Sequence, residues 1–336
     1  MHQNDLDVSG PLVSIIIPFY NGERFIRETL RSVYSQTYQH VELIIVDDGS
    51  MSPFNLSDHS TDYDVRFTTR VIRQTNKGVA CARILGLSQA HGDLVALLDQ
   101  DDTWAPNFIE EILHYFDDPM CDVVFSNAYL QDARGQKIRK LYLDGRVKLY
   151  GVGSMPAAVV TVVKPVSFAW NFIISPSQAL VRRSAVTSVP VHWQTVFGGA
   201  DDWILWISLS AMGRGFVYHP DTLLSYRRHV GNASNLRSVM RDSEECALTL
   251  LGELLSPAQL KIFWREHHYR RAKDAAVLGR PHLAFMELVA SVSFGVGSTS
   301  LHSIGIVLLT ILLPAPVLDI LRRIYSFSMR RGTSNL

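Results

Sequence analysis

The chain has 336 residues, 47% hydrophobic and 19% charged, which allows a large core and excludes wholesale disorder. Its 32 Lys and Arg balance 32 Asp and Glu, so it lacks the global basic field that holds nucleic acid. The three scattered cysteines, Cys81, Cys121 and Cys246, show no metal-type spacing and read as buried, reduced thiols.

Residues Met1 to Gly10 form a polar, flexible lead-in without the apolar core of a signal peptide. Val13 to Pro18 is a β-branched run closed by proline and predicts a buried strand. A helix follows, with Asn21 as N-cap and Phe25, Ile26, Leu30 and Val33 on its apolar face. Val41 to Val46 predicts a second strand that ends in Asp47-Asp48-Gly49-Ser50. Strand, helix, strand reads as a right-handed parallel unit, and ligands of such sheets bind beyond the carboxyl ends of the strands. A carboxylate there can accept a hydrogen bond from a base imino group or a ribose hydroxyl, although Asp-Gly is equally a turn signal.

After a polar connection, Val71 to Arg73 predicts a short strand, and Asn76-Lys77-Gly78 opens a helix over Val79 to Ala90. Lys77 and Arg83 can face phosphates beside that helix N-terminus, or belong to a solvated basic face. Leu94 to Leu98 is an apolar strand that stops in Asp99, Asp101 and Asp102, followed by Trp104 and Pro106. Carboxylates crowded at a strand end are most easily kept ionised by a hard cation such as Mg²⁺ or Mn²⁺. An acidic turn ahead of a helix fits the same residues. Asn107 to Phe116 is an amphipathic helix, and Cys121 to Phe125 another strand. Gln131 to Pro165 is irregular, the kind of insertion that carries substrate contacts.

Ser177 to Arg183 resumes strand character. Gly198-Gly199 permits a close backbone approach before Asp201-Asp202, which open an apolar helix through Trp203, Trp206 and Met212, closed by Gly213 and Gly215. Carboxylates at a helix start are favoured by the dipole; Asp202 can also project into a cleft as a base. Phe216 to Pro220 and Leu223 to His229 predict two short strands. Ser238 to Leu255 and Pro257 to Leu278 predict helices, with His267 and His268 at the surface. Ile304 to Leu318 is apolar but broken by Pro314 and Pro316, too short to span a bilayer. With Arg322, Arg323, Arg330 and Arg331 behind it, Ile304 to Arg331 suits contact with a membrane surface, or a helix packed on the catalytic domain.

Five motifs in register resemble the family 2 inverting glycosyltransferases: Val13 to Asn21, Val46 to Ser50, Asn76-Lys77-Gly78 with Arg83, Asp99 to Asp102, and Asp201-Asp202 before an apolar helix. Tyr226 to His229 with Asn232 and Ser234 is similar to the family's closing segment. The resemblance covers Pro11 to Asn235. It implies a GT-A fold: an α/β domain with a mainly parallel sheet flanked by helices over residues 11–235, here with a helical C-terminal extension over residues 236–336. It further implies that Pro18 and Tyr20 line a base pocket, and that Asp47 or Asp48 contacts a uracil-type base. Lys77 and Arg83 would complete the nucleotide site. Asp99 would hold ribose, Asp101 with Asp99 and His229 a Mg²⁺ or Mn²⁺ ion, and Asp202 would be the base. The family's usual Glu-Asp is Asp201-Asp202 here, which leaves open which carboxylate takes the proton.

The expected partners are a UDP- or dTDP-type sugar donor and a glycan or lipid-linked acceptor, with no nucleic acid. The expected location is the cytoplasm, on the inner face of the cell membrane. A nucleotidyltransferase would need a glycine-rich basic loop where Phe19-Tyr20-Asn21-Gly22 stands. A non-catalytic nucleotide-sugar binder would have no use for the full acidic set.

Overall fold

The computed structural model describes residues 10–59, 67–140, 146–149, 153–169, 171–190, 193, 196, 198–232 and 235–295. The lead-in before Gly10 and the apolar, arginine-flanked stretch from Ile304 to Arg331 lie outside them. Among the described residues no helix is long and apolar enough to cross a membrane. Two compact units divide at Leu255, and each stands by itself.

The first unit is a mixed α/β layer structure. It runs β1 (Val13–Phe19), α1 (Glu23–Tyr34), β2 (Val41–Asp48), β3 (Thr69–Gln74), α2 (Val79–Ser88), β4 (Leu94–Leu97), β5 (Thr103–Trp104), α3 (Phe108–Leu113) and β6 (Cys121–Gln131). Then come β7 (Lys137–Lys140), β8 (Arg146–Leu149), β9 (Gly153–Pro156), β10 (Thr161–Val162), β11 (Ala179–Arg182), α4 (Arg183–Thr187), α5 (Asp201–Ala211), β12 (Gly215–Arg227) and α6 (Arg237–Leu251). The main sheet has the order β10-β12-β6-β11-β4-β1-β2-β3, while β8 and β9 form a separate hairpin. β1 pairs in parallel with both β2 and β4, β2 with β3, and β6 with β12. Only β11, antiparallel to β4 and β6, reverses the direction in the middle. The carboxyl ends of β1, β2, β4 and β12 therefore share one edge, and the chain entering β11 meets them there.

Parallel central strands are covered on both faces, so β1 and β2 are buried along their whole length. One face packs Ile15, Ile17, Leu43 and Ile45 against Ile26, Leu30 and Val33 of α1 and Phe108, Ile109 and Ile112 of α3. On α2, a side chain at Gly86 would meet Ile16 Cγ2 at 2.3 Å, so this helix needs a glycine to lie close on the sheet.

Several local expectations shift. Asn21 does not cap α1: it sits at φ 47°, and its Oδ1 accepts from the Met51 N–H at 2.9 Å, tying the first turn to the loop after β2. The residue at the cap is Gly22. The two strands expected beyond Gly215 are one strand, β12, whose register against β6 slips between His219 and Thr222. β6 also runs on to Gln131, and the insertion that follows adds β7 beside β6 and β10 beside β12. Cys121 is buried, whereas Cys81 and Cys246 are only partly so.

In the second unit, α7 (Pro257–Val277) opens with a capping box between Ser256 and Gln259 and is followed by α8 (Pro281–Ser293), a helix the sequence reading did not anticipate. Ala275, Ala276 and Ala284 form a small cluster between them. His267 is not at the surface. It is fully buried, its ring edge-on to Trp264 at 5.6 Å, because residues three apart on a helix share a face. His268 Nδ1 lies 2.7 Å from Glu287 Oε2.

Candidate active site

The shared strand edge opens into a cavity of about 510 Å³. β1 brings Pro18, Phe19 and Tyr20 to its wall, β2 brings Asp48, and the turn after β4 brings Asp99, Gln100 and Asp101. The opposite wall is made by Ile174, Ser175 and Pro176 ahead of β11, by Asp201 and Asp202 of α5, by Tyr226, His229, Gly231 and Asn232 after β12, and by Met240 of α6. The cavity thus contains Asp101 and Asp202 together, although a hundred residues separate them in the chain.

Adjacent acidic residues split their tasks, because successive side chains of an extended segment point to opposite sides. Asp47 does not reach the cavity. Its Oδ1 accepts from the Ser50 N–H at 2.9 Å and its Oδ2 from the Phe54 N–H at 3.0 Å and Arg73 Nη1 at 2.8 Å. Burial alone would raise its pKa, but these donors hold it below the ordinary carboxylate value. Asp48 does face the cavity. It gathers Gln74 Nε2, the Lys77 N–H and the Gly78 N–H at 2.7–2.8 Å, shaping the loop before α2. Lys77 therefore gives the site its backbone N–H, while its side chain is exposed away from the cavity lining.

Arg83 departs furthest from expectation. It is buried, and its guanidinium is held between the carboxylates of Asp99 and Asp201. It lines the cavity and is the strut joining the end of β4 to the start of α5. Burial disfavours its charge, yet Asp201 and Asp99 outweigh that and push its pKa above its already high ordinary value. Asp99 in turn is raised, by burial first and by the neighbouring Asp101 charge, with Arg83 pulling back.

Asp101 and His229 form the other pair. Asp101 Oδ2 accepts from His229 Nε2 at 2.8 Å and from Asn232 Nδ2 at 3.2 Å. His229 Nδ1 accepts from the Gly231 N–H at 3.1 Å, so the ring proton sits on Nε2. Its ring lies on Phe25 at 4.4 Å. Asp102 points the other way, into the core. It is fully buried, accepting from the Arg227 N–H and Ser175 Oγ, each at 3.0 Å. Burial, then the charges of Asp101 and Asp99, raise its carboxyl well above the usual range. Asp102 is thus a fastener for the end of β12, outside the cation set.

The donors fit a hard divalent cation at the rim. Asp101 keeps its second oxygen without a hydrogen bond among the described residues, beside the imidazole of His229, and both line the cavity. Asp99 is drawn off to Arg83 and does not complete a three-ligand set with them.

Asp201 and Asp202 open α5. Asp201 is wholly buried on Arg83. Asp202 Oδ1 accepts from the Trp203 N–H at 2.7 Å. Burial first, and the adjoining Asp201 charge second, push Asp202 up to about 8. A carboxyl with that affinity for a proton, in a cavity, is suited to acid–base work.

Some lining residues escaped sequence reading. Gln100 holds β1 to β4, its Oε1 accepting from the Tyr20 N–H at 2.9 Å. The approach to β11 is set by Ser175-Pro176-Ser177-Gln178, a capping box with proline at its first turn. That signal is legible in sequence as Ser-x-x-Gln. Met240 carries no such signal.

A glycosyltransferase GlyG of Streptococcus pneumoniae serotype 4 is 28% identical over 231 residues, 66% of this chain and 72% of that protein. Two other curated relatives, from Haemophilus influenzae and Bacillus subtilis, are each matched over 52% of their length. Among solved structures, Staphylococcus aureus TarS superposes with a TM-score of 0.58 at 17% identity, covering 84% of this chain and 49% of that one. Its segment 1–349 has been solved with UDP-GlcNAc. The mannosyltransferase PcManGT of Pyrobaculum calidifontis, solved with GDP-Man and Mn²⁺, superposes with a TM-score of 0.55 at 16% identity over 95% of this chain and 81% of that one. These likenesses establish the fold as GT-A type. The sequence model of glycosyl transferase family 2 matches residues 14–187, over half the chain, and includes β1, β2, α2 and the carboxylates after β4. With that match, and with the acidic cavity where the sheet ends, the chain belongs to glycosyl transferase family 2.

Proposed function

We propose that the cavity transfers a sugar from a UDP- or dTDP-type donor to an acceptor hydroxyl with inversion at the anomeric carbon. The observation that carries this reading is that Asp48, Asp101, His229 and Asp202 line one cavity. The base stacks near Pro18 and Tyr20 and is hydrogen-bonded by Asp48, with Asp99 at the ribose. Asp101 and His229 would hold a Mg²⁺ or Mn²⁺ ion, His229 through Nε2 in the tautomer that carries its proton on Nδ1 in place of the Gly231 contact. When bound, the cation neutralises charge growing on the leaving nucleoside diphosphate.

The acceptor oxygen attacks the anomeric carbon as the carbon–oxygen bond to the diphosphate breaks. Asp202 takes the hydroxyl proton on the oxygen not engaged by the Trp203 N–H. Asp201 is the weaker choice, because it is wholly buried and its Oδ2 is engaged by Arg83. Asp201 instead keeps Arg83, and through it Asp99, in place. The acceptor is a glycan or lipid-linked intermediate of cell-envelope polysaccharide synthesis, reached at the inner membrane face. This part rests on the apolar, arginine-flanked stretch from Ile304 to Arg331.

The decisive experiment is a donor screen with purified protein and Mn²⁺, following release of free nucleotide with and without acceptor extract. Turnover of at least one UDP- or dTDP-sugar, abolished by EDTA and restored by Mn²⁺ or Mg²⁺, is the expected result. Transfer that persists undiminished in EDTA removes the cation from the scheme. Retention of configuration in the product removes the single displacement.

A further inference from the structure

Away from the cavity, Glu111 of α3 and His219 and Asp221 of β12 bring one ligand atom each to within 4.8 Å of one another. None of them lines the catalytic cavity. The register of β12 against β6 slips between His219 and Thr222, so Pro220 and Asp221 form a bulge there. Two residues apart in an extended backbone, His219 and Asp221 share a face.

The histidine lacks something it needs. His219 is only 6% exposed, and its Nε2 has no hydrogen-bond partner. The nearest carboxylate oxygen, Asp221 Oδ2, stands 3.6 Å away, too far for a hydrogen bond. A buried ring nitrogen facing a carboxylate without a bond is unfavourable whichever tautomer is drawn. A bare lone pair there is repelled, and an N–H there is wasted. The 3.6 Å separation matches a different occupant. Ligand atoms on a tetrahedral Zn²⁺, with bonds of about 2.0–2.1 Å, stand roughly 3.4 Å apart.

We propose that Glu111, His219 and Asp221 form a second divalent-cation site, for Zn²⁺ or a similar metal with a taste for nitrogen, separate from the catalytic cation. The surroundings are those of a metal-bound imidazole. Tyr115 Oη lies 3.1 Å from His219 Nδ1, fixing the ring with Nε2 toward Asp221. Glu111 Oε1 accepts from Asn107 Nδ2 at 2.9 Å, which orients that carboxylate and leaves its other oxygen for the metal. Burial lowers the basicity of His219, which favours the neutral ring that ligates. Water takes the fourth position beside the exposed Asp221. The metal joins α3 to the bulge of β12, the strand that continues to Arg227 and His229, and so stabilises one wall of the molecule without touching the reacting atoms.

The full chain carrying Asp101→Asn, which silences the cavity cation, is stripped with chelator and titrated with Zn²⁺ against a chromophoric competitor. One Zn²⁺ per chain is expected. Adding Asp221→Asn or Glu111→Gln weakens it by about tenfold to a hundredfold, and Tyr115→Phe by about tenfold. Asp221 is exposed, so its amide keeps the fold, which an unchanged melting curve in chelator verifies. Co²⁺ in place of Zn²⁺ gives visible ligand-field bands that Asp221→Asn shifts. Failure of the Asp101→Asn chain to bind Zn²⁺ overturns the proposal. So does binding that neither Asp221→Asn nor Glu111→Gln weakens. Neither result bears on the catalytic reading.

Discussion

At the end of β4 two neighbouring carboxylates part company, whereas at the start of α5 two neighbouring carboxylates stay together. Asp101 turns to the cavity and His229, and Asp102 turns to the core and the Arg227 N–H. Asp201 and Asp202 instead both line the cavity. The first arrangement lets one acid serve chemistry while its neighbour serves the fold. In the second, burial first and the adjoining Asp201 charge second push Asp202 up to about 8, while Arg83 pairs directly with Asp201 alone of the two. The same parting of pairs occurs at Asp47 and Asp48, one tied into its loop and one facing the cavity. In this chain each acidic doublet at a strand end sends one carboxylate to the cavity and ties the other into the fold, while the doublet at the start of α5 keeps both at the cavity.

The sharpest way to break this comparison is Asp202→Asn. Transfer is expected to fall by about a hundredfold to ten-thousandfold, while nucleotide binding measured by calorimetry is retained. Turnover at the parental rate assigns the proton to another group.

Exchanging the two acids after β4 tests the division of labour. Asp101→Ala is expected to cost about a hundredfold in rate with an ordinary denaturation midpoint. Asp102→Ala is expected to lower stability by about 3 kcal/mol, because the Arg227 N–H and Ser175 Oγ lose their buried acceptor. If Asp102→Ala unfolds at the same denaturant concentration as the parent, the fastener role is wrong.

The coupling at α5 predicts a pH dependence. Asp202 has its folded pKa raised from the usual 3.8 to about 8, so the folded protein holds a proton that the unfolded chain has already lost across that window. Its contribution to stability is complete below the unfolded value and declines as pH rises through the folded one. In metal-free protein, Asp202→Asn should therefore be more stable than the parent by at least about 1 kcal/mol at pH 8, with the gap closing near pH 4. Thermal melts of both proteins across this range decide it. The transfer rate of the parent should rise with pH over the same window, as the base becomes ionised.

The smallest expected effect concerns the loop that parts Asp47 from Asp48. Gly49 sits at φ 75°, and a Cβ there would meet the Asn76 N–H at 2.6 Å. Gly49→Ala should cost about 1–2 kcal/mol in a denaturant titration. A neutral result means that the loop after β2 accommodates a side chain.

Much of the cavity was legible in one dimension, because β-branched runs ending in acids mark where buried strands emerge. Val41 to Asp48 and Leu94 to Asp102 carried both their strands and their carboxylates in this way. Arg83 was visible as a cation near a helix start but not as a strut, since that depends on Asp201, more than a hundred residues later. Asn21 was misread as a cap because its partner, the Met51 N–H, comes from a distant loop. His267 was misread as exposed because alternating charge hides a buried helix face.

Local pattern therefore determined the parallel sheet, the edge where ligands meet it and the family to which the chain belongs, since hydrophobic period and strand-end residues act over a few positions. Tertiary structure decided which member of each acidic pair faces the cavity, what Arg83 holds, and that Glu111 meets His219 and Asp221. Those outcomes depend on the pleat of a strand, the slip in β12 and charges brought together from remote parts of the chain, and none of these is a property of neighbouring residues alone.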